Sequence, residues 1–153
     1  FIECRNNELF NIPVEDLREM ANNELKAIAQ KAQGNSADTL RRMGEARVQT
    51  DTYRVDLTYA LLGQIAIVPI PTTKGYRMQN IRAETATNWY GRIMAGMNKD
   101  AEMVMFIVRD DSFDVFKKAR TIAWFQKVEV AYELLDLDEP LKFGLGGAMA
   151  YAQ

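Results

Sequence analysis

With 153 residues, 48% of them apolar and 26% charged, the chain has the makings of one ordinary globular domain with a real core, not a disordered segment. A net charge of −2 offers no general attraction to nucleic acid or to an anionic membrane. The sequence has no histidine and a single cysteine, Cys4, which excludes imidazole bases, Ser-His-Asp and Cys-His catalysis and an internal disulfide, and argues against structural zinc.

The opening segment, FIECRNNELFNI, sets Asn6-Asn7 between two short strand-like runs. Asparagine tolerates positive φ, so the pair predicts a hairpin over residues 1–12. Pro13 suits a first helical turn, with Glu15 and Asp16 favoured there by the helix dipole. Val14, Leu17, Ala21, Leu25, Ile28 and Ala32 then form one apolar stripe, which Gly34 ends. Ser36 is the expected cap of a second helix, from Ala37 to about Gln49, completing a helical segment over 13–50. That helix carries Arg41, Arg42, Glu45 and Arg47, with only Leu40, Met43 and Val48 to bury, so it is expected at the surface or against a partner.

Sheet and helices are expected over 53–134. Tyr53, Val55, Leu57 and Tyr59 alternate with polar residues and predict a strand running toward Leu62. Ile65–Ile70 is apolar and β-branched, and Pro69 and Pro71 end it or place it at an edge. After a turn at Thr72–Gly75, Tyr76–Ile81 reads as a strand pairing back on 64–70, and Glu84–Asn98 as a helix. Met103–Val108 is a six-residue apolar run, too short for the roughly 20 residues of a membrane helix and suited to a strand buried on both faces. Ser112 is placed to cap a helix in which Phe113, Phe116, Ala119 or Arg120, Ala123 and Trp124 recur at helical steps. Val128, Val130, Tyr132 and Leu134 then alternate as in a half-exposed strand. Strand, helix and strand make a right-handed βαβ unit. The expected class is α+β, an α/β sandwich with a mixed sheet and helices mainly on one face, in a single domain over 1–153 whose last part, 135–153, is a tail.

Asp110 and Asp111 follow the C-terminal end of the 103–108 strand, where ligands bind in open α/β sheets, and two carboxylates there suit magnesium. The plainer reading is a solvated loop and helix start. Arg109, with Arg5, Arg77, Arg82 and Arg92 elsewhere, suits a phosphate or carboxylate but lacks a glycine-rich loop. Gly144-Leu145-Gly146-Gly147 resembles part of a phosphate loop without its Lys-Ser/Thr, and reads as a tail. Asp136, Asp138 and Glu139 lack EF-hand spacing. Cys4 reads as a buried inert thiol, and Ser112 as a cap. Trp89, Tyr90, Phe113, Phe116, Trp124 and Phe125 read as core.

The segments LLGQIAIVPIPTTKGYR, TATNWYGRIM and MFIVRDDSFDVFKKARTIAW, with VEVAYELLDLDEPLKFG and FIECRNNELF, resemble a bacterial domain of unknown function found in longer coiled-coil or membrane-proximal proteins. The order of hairpin, helix, strand, helix and strand also resembles the ExbD/TolR globular domain, the partner of proton-driven motors. Against that layout residues 35–98 would be an insertion, and the motor family's membrane aspartate has no counterpart here. The lack of histidine, the polar helix over 36–49 and the absence of any strong catalytic motif lead to the expectation of a non-catalytic interaction or assembly module, as the soluble part of a membrane-associated complex. The alternative is a divalent-metal-dependent phosphotransfer or hydrolase domain using Asp110 and Asp111. No cofactor and no nucleic acid are expected. A protein partner or a homo-oligomer is expected, with no membrane span in this chain. The location expected is cytoplasmic, or alternatively on a membrane-anchored protein. The start at Phe1, inside a strand-like stretch, suits a fragment of a longer chain.

Overall fold

A computed structural model describes residues 1–78 and 88–144. The fold is α+β, with helices and a mixed sheet. It divides into two compact units, each assembled from two stretches of sequence. The first combines Phe1–Ile12 with Lys74–Asp138; the second combines Pro13–Thr73 with the segment that begins at Glu139.

In the first unit, β1 (Ile2–Arg5) and β2 (Glu8–Asn11) form the expected hairpin. Asn6 and Asn7 adopt φ of 53° and 56°, the left-handed pair that a two-residue turn requires. The βαβ unit follows as expected: β6 (Met103–Arg109), α4 (Phe113–Phe125) and β7 (Glu129–Leu135), with β6 and β7 parallel. The hairpin adds to it through β1, also parallel to β6, so the strands run β2-β1-β6-β7. This mixed sheet places β6 in its interior and β7 at its edge among the described strands.

Register sorts the side chains of this sheet onto two faces. Ile2, Cys4, Leu9, Val104, Phe106 and Val108 lie with α4 and with α3 (Trp89–Gly96) in one apolar core. Phe106 is fully buried, its ring 5.4 Å from Phe116 and 6.4 Å from Tyr90. Tyr90 ties the two helices together by donating its hydroxyl to the Ala119 carbonyl at 2.7 Å. Asn88 caps α3 by accepting from Gly91 N. The helix expected from Glu84 thus begins at Trp89 among the described residues, and 84–87 lie outside them.

Helix α4 buries Val115, Phe116, Ala119, Ile122 and Ala123. This stripe is rotated from the expected one, so Phe113, Trp124 and Phe125, read from sequence as core, are exposed. Ser112 occupies the cap position, yet its hydroxyl makes no cap bond to the helix. It is committed elsewhere, as described below. Tyr76 corrects a further expectation: it bridges Leu9 of β2, with N–H to O distances of 2.9 and 2.8 Å, and does not pair back on 64–70. Residues 79–81 of that expected strand lie outside the described residues.

In the second unit, β3 (Val48–Gln49), β4 (Tyr53–Asp56), β5 (Gln64–Pro69) and β8 (Leu141–Gly144) form an antiparallel sheet in that order. The strand expected to run on toward Leu62 stops at Asp56. There the carboxylate accepts from the backbone N–H and hydroxyl of Thr58 and starts a 3-10 helix, Leu57–Leu62. Gly63, at φ 71°, closes that helix. β5 is an inner strand rather than an edge, because Leu141–Gly144, expected in a tail, pair with it as β8. Pro69 is tolerated as its last residue. Residues 145–147 of the glycine cluster lie outside the described residues.

Helix α1 (Val14–Ala32) buries the predicted stripe except Leu25, which is half-buried, and ends with left-handed Gln33 and Gly34. Helix α2 (Ser36–Glu45) is capped by Asn35, not Ser36, and ends before Val48, which is a strand residue. It buries no side chain, and Asp38 accepts from both Arg41 and Arg42 at 2.6 Å on its outer side.

Candidate functional site

Because β1 and β6 run parallel, their C-terminal ends meet on one side of the sheet. The hairpin turn Asn6-Asn7 therefore lies against the loop Asp110-Asp111-Ser112 that leads from β6 into α4. Asn6 donates its backbone N–H to Asp111 Oδ2 at 3.0 Å. Asn7 donates its N–H to Ser112 Oγ at 2.9 Å, and the Ser112 hydroxyl donates to Asp111 Oδ1 at 2.7 Å. Left-handed asparagines direct consecutive N–H groups outward, and here one carboxylate and one hydroxyl receive them. Asp111 uses both oxygens in this junction, while Asp110 is exposed beside it. Among the described residues no three His, Cys, Asp or Glu side chains are grouped so as to hold a metal ion.

Behind this loop, on the face opposite the apolar core, lies a buried charge cluster. Glu3 and Arg109 are both fully buried, and Arg109 Nε donates to Glu3 Oε1 at 2.8 Å. Arg5 Nε donates to Glu3 Oε2 at 3.1 Å and sets its guanidinium 4.1 Å from the centre of the Phe10 ring. Arg109 also donates to the Asp136 carbonyl at 2.5 Å, securing the turn that follows β7. Burying such groups is costly unless they are mutually paired and hydrogen-bonded. Arg109 is thus committed to an internal carboxylate and backbone, which corrects the expectation of a phosphate or external carboxylate there.

At the rim of the same face, Glu8 accepts from Arg77 Nε at 2.5 Å and from Gly75 N at 2.7 Å. Burial pushes the Glu8 carboxyl upward, but these two donors and the nearby positive charges outweigh it and hold it below the ordinary glutamate value. Cys4 lies on the apolar face. Burial, reinforced by the Glu3 charge, pushes its thiol well up, so it stays protonated and inert. The sequence analysis did not single out Glu3; its alternation with Ile2 and Cys4 in a short strand was the available signal.

A second feature is an exposed apolar strip. Tyr132 and Leu134 on β7 are 54% and 53% exposed, and Trp124 and Phe125 on α4 are 58% and 76% exposed. Arg120 spans the helix side of the strip, 5.3 Å from the Phe116 ring centre and 4.6 Å from that of Trp124. Phe116, itself buried, lies 5.2 Å from Tyr132 and connects helix and strand beneath the exposed side chains. Beyond it, the outer edge of β7 pairs with no strand among the described residues. No protein family, curated protein or solved structure matches this chain.

Proposed function

We propose that this chain is a non-catalytic protein-interaction or assembly module, working as part of a membrane-associated complex of the ExbD/TolR kind. The observation that carries the reading is the strip of Trp124, Phe125, Tyr132 and Leu134 beside an open strand edge. Exposed apolar side chains near a strand edge that pairs with no strand among the described residues suit another polypeptide. The polar residues at the end of β6 support the same reading, since Asp111, Ser112 and Arg109 are spent on holding the hairpin, the loop and the turn after β7 together. No helix among the described residues is long and apolar enough to cross a membrane.

Thermal melting with and without magnesium or manganese tests this against a metal-dependent enzyme built on Asp110 and Asp111. A bound ion at one hundred times its dissociation constant stabilises by about 2.7 kcal/mol. The expected result is no metal-dependent shift, either in the native protein or in the variant with Asp110→Asn and Asp111→Asn. A stabilisation of the native protein that the double variant loses would replace the assembly reading with the enzymatic one.

A further inference from the structure

We infer that the polypeptide received by the β7 edge is a second copy of this chain, joined antiparallel through β7 about a two-fold axis at Tyr132. The inference rests on the interaction-module reading and names its partner. Its basis is the order of residues along Glu129–Leu135, EVAYELL, together with the charges at either end.

A two-fold axis perpendicular to the sheet keeps the apolar face of both copies on the same side, and it places one residue opposite itself. With Glu133 at the centre, two Glu133 side chains oppose each other. With Ala131 at the centre, Glu129 opposes Glu133. Like charges directly opposite one another destabilise a strand pair. With Tyr132 at the centre, all seven residues of β7 find partners. Glu129 then meets Leu135, Val130 meets Leu134, Ala131 meets Glu133, and the two Tyr132 rings meet at the axis. No glutamate opposes another.

Charge acts beyond the strand ends as well. Lys127 is exposed in the left-handed turn before β7, and Asp136 and Asp138 are exposed just after it. An antiparallel join brings the positive end of each copy toward the negative end of the other. The exposed apolar side chains brought together are Tyr132 and Leu134, whose exposure is 54% and 53%. The join extends the order β2-β1-β6-β7 into one continuous sheet across two chains, along an edge that pairs with no strand among the described residues.

Sedimentation of the native protein over a range of concentrations, alongside Tyr132→Glu and Tyr132→Lys, tests this. Tyr132 is largely exposed, so both variants are expected to fold, which melting curves check. The native protein is expected to sediment as a dimer, and each variant alone as a monomer, since each places like charges on the axis. An equimolar mixture of the two variants is expected to recover the dimer, because glutamate then meets lysine. As a second measurement, Tyr132→Cys is expected to form a disulfide-linked dimer under mild oxidation, its two Cα atoms lying at the roughly 4.5–5.5 Å of cross-strand partners. Glu129→Cys, which faces Leu135, is expected not to, and Cys4 is buried out of reach. A native protein that is monomeric at every concentration, or a dimer indifferent to both charge variants, would overturn the self-pairing. Either result leaves the broader interaction reading to the metal experiment, which reads a different property at a different place.

Discussion

The two faces of the β2-β1-β6-β7 sheet solve the same burial problem by opposite means. One packs Phe106, Val108, Ile2 and Cys4 beneath α3 and α4, where non-directional apolar burial stabilises the unit. The other buries Glu3, Arg5 and Arg109, where stability depends on three charges meeting at hydrogen-bonding distance. A one-residue slip of β1 would fail on both faces, since it would carry Ile2 and Cys4 off the apolar core and take the Glu3 carboxylate away from Arg5 and Arg109. The pairing Glu3↔Ile107, two residues before Arg109 on the neighbouring parallel strand, is therefore held by chemistry as well as by packing.

The largest effects should fall on the centres of the two faces. Phe106→Ala removes a fully buried ring and is expected to destabilise by about 3–5 kcal/mol in a denaturant melt. A change under roughly 1 kcal/mol would mean that β6 is not at the centre of the core. On the charged face, Glu3→Leu removes the carboxylate to which Arg5 Nε and Arg109 Nε donate and is expected to cost a similar amount, about 3–5 kcal/mol. Adding Arg109→Met should recover part of that loss, because the pair is then replaced by apolar groups rather than broken. A double-mutant cycle in which the two losses simply add would show the charges to be uncoupled and would erase the contrast between the faces.

Smaller effects are expected where the charged face meets β2. At Gly75 an added Cβ would meet the Leu9 carbonyl oxygen and the Phe10 ring at 2.7 Å. The Leu9 backbone is fixed by its two hydrogen bonds to Tyr76, so Gly75→Ala is expected to cost about 1–3 kcal/mol. The smallest effect concerns Glu8. Its folded pKa lies below the ordinary glutamate value, so its contribution is fully present above the unfolded value and is lost as pH falls through the folded one. Arg77 is mostly exposed, which limits that contribution to about 1 kcal/mol or less. Melts of the native protein and Glu8→Gln should therefore differ at neutral pH and converge as pH falls below the usual glutamate range. Curves that stay parallel through that window would show the Glu8 pairing to be energetically silent.

The amino-acid sequence by itself determined the elements whose signals are local. Asn6-Asn7 encodes its turn because asparagine reaches positive φ at little cost. The run Met103–Val108, the helix after Ser112 and the strand after it encode a βαβ unit because burial period and connection length are properties of neighbouring residues. The tertiary structure alone decided everything that depends on partners far along the chain. β8 was unreadable because Leu141–Gly144 is an inner strand's neighbour only through β5, more than seventy residues earlier. Asp56 ended a convincing alternation through two bonds to Thr58 that no periodicity records. Ser112 has the composition of a helix cap, and only the parallel pairing of β1 with β6 brings Asn7 to its hydroxyl. Asp111 and Arg109 looked like ligands for the same reason: their charge is written in the sequence, but the backbone and carboxylate that absorb it arrive only when distant strands are set side by side.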